Sequence, residues 1–135
     1  MTLTLDLRLL VYSVLLAWLM LMVASLARVR GHTPAGMMLA FGNRHNLPEP
    51  SAAAARADRA AKNMLENLVL FATLVLAAHA VGVAIDRLAL PARLFFYARV
   101  VYFPLYVAGI PYLRTAAWTV GVVAMAMIAA AMLGG

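Results

Sequence analysis

The stretch RAAKNMLENLVLF, residues 59–71, sets Arg59, Lys62, Asn63 and Glu66 against a nineteen-residue run, 67–85, that carries no formal charge. At about 100° per residue on a helix, Arg59, Asn63 and Glu66 fall within about 60° of one another, with Lys62 on the same side. Cations, an amide and a carboxylate on one stripe can hold a ligand that carries both carboxylates and an ammonium. They also suit a solvated helix end, with Arg and Lys snorkelling to a membrane interface. Glu66 favours the first reading, because a carboxylate a full turn inside an apolar region is costly unless it faces a partner or a wet cavity.

A second group lies in YARVVYFPLY, residues 97–106, where Arg99, Tyr102 and Tyr106 share one helical face. Arg99 falls near mid-bilayer if Pro91 and Gly109 mark the helix ends, and Glu66 and Arg99 are then placed to neutralise each other. Two readings stay open on these residues alone: a buried ion pair that specifies helix packing, with the tyrosines as an interfacial belt, or a ligand site. Arg28 and Arg30 at the end of one apolar segment, and Arg114 at the head of another, tip the sum toward a site. Together these residues describe a basic cleft with one deep carboxylate and hydroxyl donors. It suits a small zwitterion with more carboxylates than amines.

The elements that must position these residues follow from composition. Of 135 residues, 66% are hydrophobic and 12% charged, far from the roughly half-apolar, quarter-charged norm of soluble domains. Four apolar segments, at about 7–28, 60–83, 90–109 and 113–133, are each close to the ~20 residues a helix needs to cross the hydrocarbon core. The expected fold is all-α: one four-span helical bundle in the membrane, covering 1–135 as a single domain. The first segment reads as a retained helix, since its leader MTLTLDLR is barely basic and no clear small-x-small cleavage site follows it. The net charge of +6 gathers beside the spans rather than on an aromatic-laced face, which argues topology signalling and no nucleic acid partner. Arg28, Arg30, Arg44, Arg56, Arg59, Lys62 and Arg114 flank the first and third connections, so the positive-inside rule puts those connections in the cytoplasm.

Between the first two spans, GHTPAG and FGNRHNLPEPS read as a loop of turn chemistry. Ser51 is the expected N-cap of a helix that runs through SAAAARADRAA into the second span. Pro91 opens the third span, Pro104 bends it, and Gly109-Ile110-Pro111 ends it. There is no cysteine, so any thiol chemistry must use a substrate's thiol. His32 and His45 lack a supporting carboxylate cluster, and no metal site is expected. His79, roughly opposite Glu66 around its helix, reads as an interfacial residue, and the nine methionines as packing.

RAAKNMLENLVLF, preceded by GNRHNLPEP and followed by ARVVYFPLYVAG and an arginine heading the fourth span, resembles the MAPEG family, membrane-associated proteins of eicosanoid and glutathione metabolism, in a bacterial-type member. The resemblance covers nearly the whole chain, and its sharpest element is R-A-x-x-N-x-x-E entering span two. It implies a homotrimer with glutathione as cofactor between subunits near the cytosolic face, and a lipophilic small-molecule substrate arriving from the lipid bilayer. By position it assigns Arg28, Arg59, Lys62, Asn63, Glu66, Arg99, Tyr102 and Tyr106 to glutathione binding and Arg114 to the thiol. Tyr102 stands where some members have His, Thr115 and Trp118 where some have Ser and Tyr, and Arg114 aligns with some enzymes only after a one-residue adjustment. The implied activity is that of a glutathione transferase or peroxidase, with a non-catalytic lipid-binding or scaffold trimer as the alternative. The Ala/Leu/Arg-heavy composition points to a bacterial inner membrane.

Overall fold

The computed structural model describes residues 2–134. Its elements are α1 (Leu5–Val29), α2 (Pro34–Phe41), α3 (Ala52–Ala80), α4 (Ile85–Ala108) and α5 (Pro111–Leu133), and no strand occurs among the described residues. All but α2 are long and apolar enough to cross a membrane. Each span also exposes large apolar side chains, among them Trp18, Leu19, Val69, Leu70, Val101 and Val123, as expected where lipid replaces water against the protein.

Helix α1 packs most extensively along α3, and α4 along α5; α1 and α3 both touch α4. Small residues make the first pairing close, with Ala17 and Ala24 of α1 and Ala57, Ala60 and Ala61 of α3 all buried in one core. Close approach of this kind drives helix association where no hydrophobic effect operates between spans. At mid-depth the α3–α4 contact is the stack of Phe71 on Phe95, with ring centroids 3.9 Å apart and planes 9° from parallel. Met20, Met64, Leu88 and Ile128 complete the fully buried centre.

Local chemistry sets the helix ends. The Ser51 hydroxyl accepts from the Ala54 amide at 3.1 Å and caps α3, as its place after Pro50 predicts. The third span starts earlier than Pro91: α4 begins at Ile85 and holds both Pro91 and Pro104. Pro104 has no N–H, so the Val100 carbonyl lacks its helical donor.

The connection expected to be all loop contains a helix. Thr33 accepts from the Gly36 amide at 3.0 Å and Pro34 takes the first helical turn, a favoured helix start. Gly36 lies hard against the end of α1, where an added Cβ would sit 2.0 Å from the Arg30 carbonyl oxygen. No side chain fits there, and α2 is thereby seated on the last turn of α1. Arg28 donates to the Pro48 carbonyl at 2.6 Å and Arg44 to the Ser25 hydroxyl at 2.9 Å, which ties the remaining loop to the same helix.

His79 is not merely interfacial. Its Nδ1 lies 3.3 Å from Oδ2 of Asp6, a carboxylate with no exposure at the opposite end of the bundle from α2. Among the described residues the other Asp6 oxygen has no hydrogen-bond partner, so His79 is the one side chain there that pairs with this carboxylate. His79→Ala is expected to destabilise the fold by about 1–3 kcal/mol, the penalty of stranding a buried polar group. Denaturation in detergent measures it, and Asp6→Leu/His79→Ala should recover part of the loss because no unpartnered polar group is then buried.

Candidate functional site

The site is built outward from Arg99. This residue is 1% exposed, and its Nη2 donates to Oδ1 of Asn63 at 2.8 Å and to the Asn63 carbonyl at 3.1 Å. Its guanidinium carbon also lies 4.6 Å from the Tyr102 ring centroid and 5.9 Å from that of Phe95. Nε and Nη1 have no hydrogen-bond partner among the described residues. Asn67, read in the sequence only as the start of the uncharged run, donates to the Asn63 carbonyl at 2.9 Å and to its Oδ1 at 3.3 Å. With Oδ1 and the carbonyl both engaged, Asn63 keeps its Nδ2 for a ligand.

The expected pairing of Glu66 with Arg99 does not form. Glu66 is exposed, because three residues beyond Asn63 the helix has turned it about 60° away. Asn63 occupies the direction of Arg99 instead.

Next to this buried pair lies a pocket of about 210 Å³ lined by Asn63, Tyr102, Tyr106, Arg114, Thr115 and Trp118. Tyr102 and Tyr106, one turn apart on α4, have ring centroids 5.4 Å apart. The Arg114 guanidinium sits 4.6 Å from the Tyr106 centroid, and Arg59 reaches the Tyr106 hydroxyl from α3 at 3.4 Å. The lining has guanidinium, amide and phenol groups and no carboxylate, so it favours negative charge. Thr115 donates to the Pro111 carbonyl at 2.9 Å, which uses its hydroxyl proton. Tyr102 and Tyr106 remain as the hydroxyl donors to a bound group.

Three of the expected residues stand apart from this pocket. Arg28 is bound to Pro48, Lys62 is paired with Asp58 at 2.9 Å on the surface of α3, and Glu66 faces outward. A larger hollow of about 620 Å³ runs between α4 and α5 along Leu94, Tyr97, Val101, Leu105 and Val120. Apart from Arg93 and Tyr97 its walls are apolar, so polar groups do not converge there. The smaller pocket is therefore the candidate site.

Arg56, read in the sequence only as one more positive charge, fixes the turn that carries the pocket. Its Nε donates to the Val107 carbonyl at 2.8 Å, at the C-terminal end of α4 where a cation is favoured. Gly109 adopts φ +78°, and a Cβ there would come within 3.5 Å of the Arg56 guanidinium. The α4–α5 turn, with Tyr106 on one side and Arg114 on the other, is thus held against α3.

The fold and pocket together define a class: an integral membrane bundle of four spanning helices with a basic, tyrosine-lined pocket at one end. The MAPEG family model matches residues 9–134, and the chain belongs to that family. The family includes glutathione transferases and peroxidases, and its members generally use glutathione. A search of curated proteins finds no match.

Arg56→Met is expected to raise amide hydrogen exchange at Gly109 and Ile110 about tenfold, the equivalent of one charge-assisted hydrogen bond. Exchange at Phe95 and Ala98, in the middle of α4, should not change. Hydrogen-exchange mass spectrometry checks both.

Proposed function

We propose that this protein binds glutathione and acts as a glutathione transferase or peroxidase on lipophilic electrophiles. The observation that carries the reading is the convergence of Arg114, Tyr102, Tyr106 and Asn63 on one carboxylate-free pocket. Glutathione supplies a nucleophilic thiol whose free pKa is near 8.5. In this proposal the Arg114 guanidinium holds the negative charge at the sulfur, and a phenol proton from Tyr102 or Tyr106 adds a hydrogen bond. Both favour the ionised form, each unit of lowering corresponding to about 1.4 kcal/mol. Arg28, Arg59 and Lys62 are assigned to the carboxylates and Glu66 to the ammonium, with Asn63 and Arg99 as the inner wall. The electrophile enters from the bilayer beside Trp118.

We further propose that the working unit is a homotrimer, each chain contributing one four-span domain. Two observations support it. The pocket of about 210 Å³ is smaller than the roughly 300 Å³ at which small-molecule sites begin, so one chain encloses only part of a tripeptide. Glu66 also lies exposed on a spanning helix, a position that a second chain or a bound ammonium would relieve. We place the basic end toward the cytoplasm by the distribution of Arg and Lys, and propose a bacterial inner membrane from the Ala/Leu/Arg-heavy composition.

The non-catalytic scaffold reading draws on Arg99, whose closure between Asn63, Phe95 and Tyr102 is a packing role in its own right. One titration separates the two. Glutathione added to the detergent-solubilised protein is expected to give a saturable thiolate absorbance band. The band should disappear in Arg114→Ala, while Glu66→Gln should keep it with glutathione affinity weakened about tenfold, as for one charge-assisted contact. An intact band in Arg114→Ala would overturn the role of Arg114. No glutathione binding by calorimetry, from a folded assembly, would leave the scaffold reading standing.

A further inference from the structure

The end of α1, the N-terminal turns of α3 and the last turn of α4 enclose a second cavity of about 410 Å³. None of its lining residues belongs to the pocket described above. Val23 and Ala27 from α1, Ala57 from α3 and Val107 from α4 give it apolar walls, and the exposed Arg30 and His32 supply polar groups. Val23 and Ala27 are one helical turn apart. Exposed Leu19 continues the same row toward the middle of the span. The cavity thus combines a cationic end with an apolar track.

Helix α2 fixes where this cavity sits. It carries no charge, and it rests directly on the final turn of α1, which puts it at the level where that span leaves the hydrocarbon. Met38 and Phe41, three residues apart on its outer side, are 78% and 85% exposed. Large apolar side chains at that level suit the boundary between headgroups and acyl chains.

We propose that this elbow seats an anionic phospholipid of the adjoining leaflet, its phosphate held by Arg30 and His32 and an acyl chain lying along Ala27, Val23 and Leu19. A free inorganic anion would leave the apolar walls unused. The lining itself holds no carboxylate to neutralise Arg30, so the polar end of the cavity calls for an anion. The cations at this end match the negative surface that anionic lipids create.

Titration of the purified protein with phosphatidylglycerol, and with phosphatidylcholine of the same chains, followed by native mass spectrometry, tests the seat without glutathione. Phosphatidylglycerol is expected to bind at least fivefold more tightly. Arg30→Asn/His32→Gln should weaken phosphatidylglycerol about tenfold or more and leave phosphatidylcholine unchanged; Asn suits position 30, where φ is +54°. Ala27→Leu, which fills the cavity without altering charge, should weaken both lipids. Equal affinity for the two lipids, or displacement of phosphatidylglycerol by glycerol phosphate at matching concentration, would overturn the proposal. So would a change in the number of chains per particle in the double variant, which would mark a contact between copies instead. Should either variant fail to fold, the lipid comparison and the glycerol phosphate competition on the unaltered protein decide the matter alone.

Discussion

A guanidinium closed inside an apolar bundle must find its acceptors within the protein, and much of the architecture answers that demand for Arg99. Isolating such a charge costs several kcal/mol even after relaxation. Compensation comes from one backbone carbonyl, one amide oxygen and two aromatic faces, with no carboxylate among them. Gly121 of α5 faces the same group, and a Cβ there would make ordinary contact with Phe95 and Arg99 at 3.8 and 4.0 Å. Three helices are therefore in register around one side chain. A slide of α4 by a single residue, about 1.5 Å along the axis, would carry Nη2 away from Asn63.

The same register places the chemistry. Tyr102 and Tyr106 follow Arg99 at three and seven residues, so the helix that buries the guanidinium turns both phenols toward the pocket. Arg114 approaches from the other side of the α4–α5 turn and meets Tyr106 at 4.6 Å. Buried and open cations are thus separated: Arg99 is consumed by packing, whereas Arg114 lines open space. Nε and Nη1 of Arg99 have no hydrogen-bond acceptor among the described residues, and they lie behind Asn63 rather than in the pocket lining.

Much of this was legible in the sequence because it rests on periodicity and local chemistry. The common face of Arg99, Tyr102 and Tyr106 follows from helical spacing, and the Ser51 cap from a hydroxyl one residue after Pro50. What escaped depends on which helix covers which. Asp6 and His79 are 73 residues apart, and the periodicity of α3 gives the direction of His79 but not its neighbour. Arg56 was hidden because its acceptor is a backbone carbonyl, which leaves no residue type to recognise. Helix α2 was different: Thr33-Pro34 is a legible helix start, and the glycines and prolines around it drew the reading toward a loop. Glu66 was matched with Arg99 on charge alone, when the nearer amide of Asn63 had prior claim.

Glu66 then links fold to assembly. Helix α3 is 29 residues long, about 43 Å at the usual rise, against a hydrocarbon core of ~30 Å. If its charged N-terminal turns supply the overhang, Glu66 lies roughly 8 Å inside the apolar region. Lys62, one turn earlier, is already engaged with Asp58, and Arg99 is engaged with Asn63. A carboxylate at that depth, on an outward face and with its own chain's nearest cations committed elsewhere, has no low-energy environment in bare lipid. In the proposed trimer that face of α3 is covered, by another chain, by a ligand's ammonium, or by both at once. On that proposal, a ligand held between chains would meet both demands with the same contact.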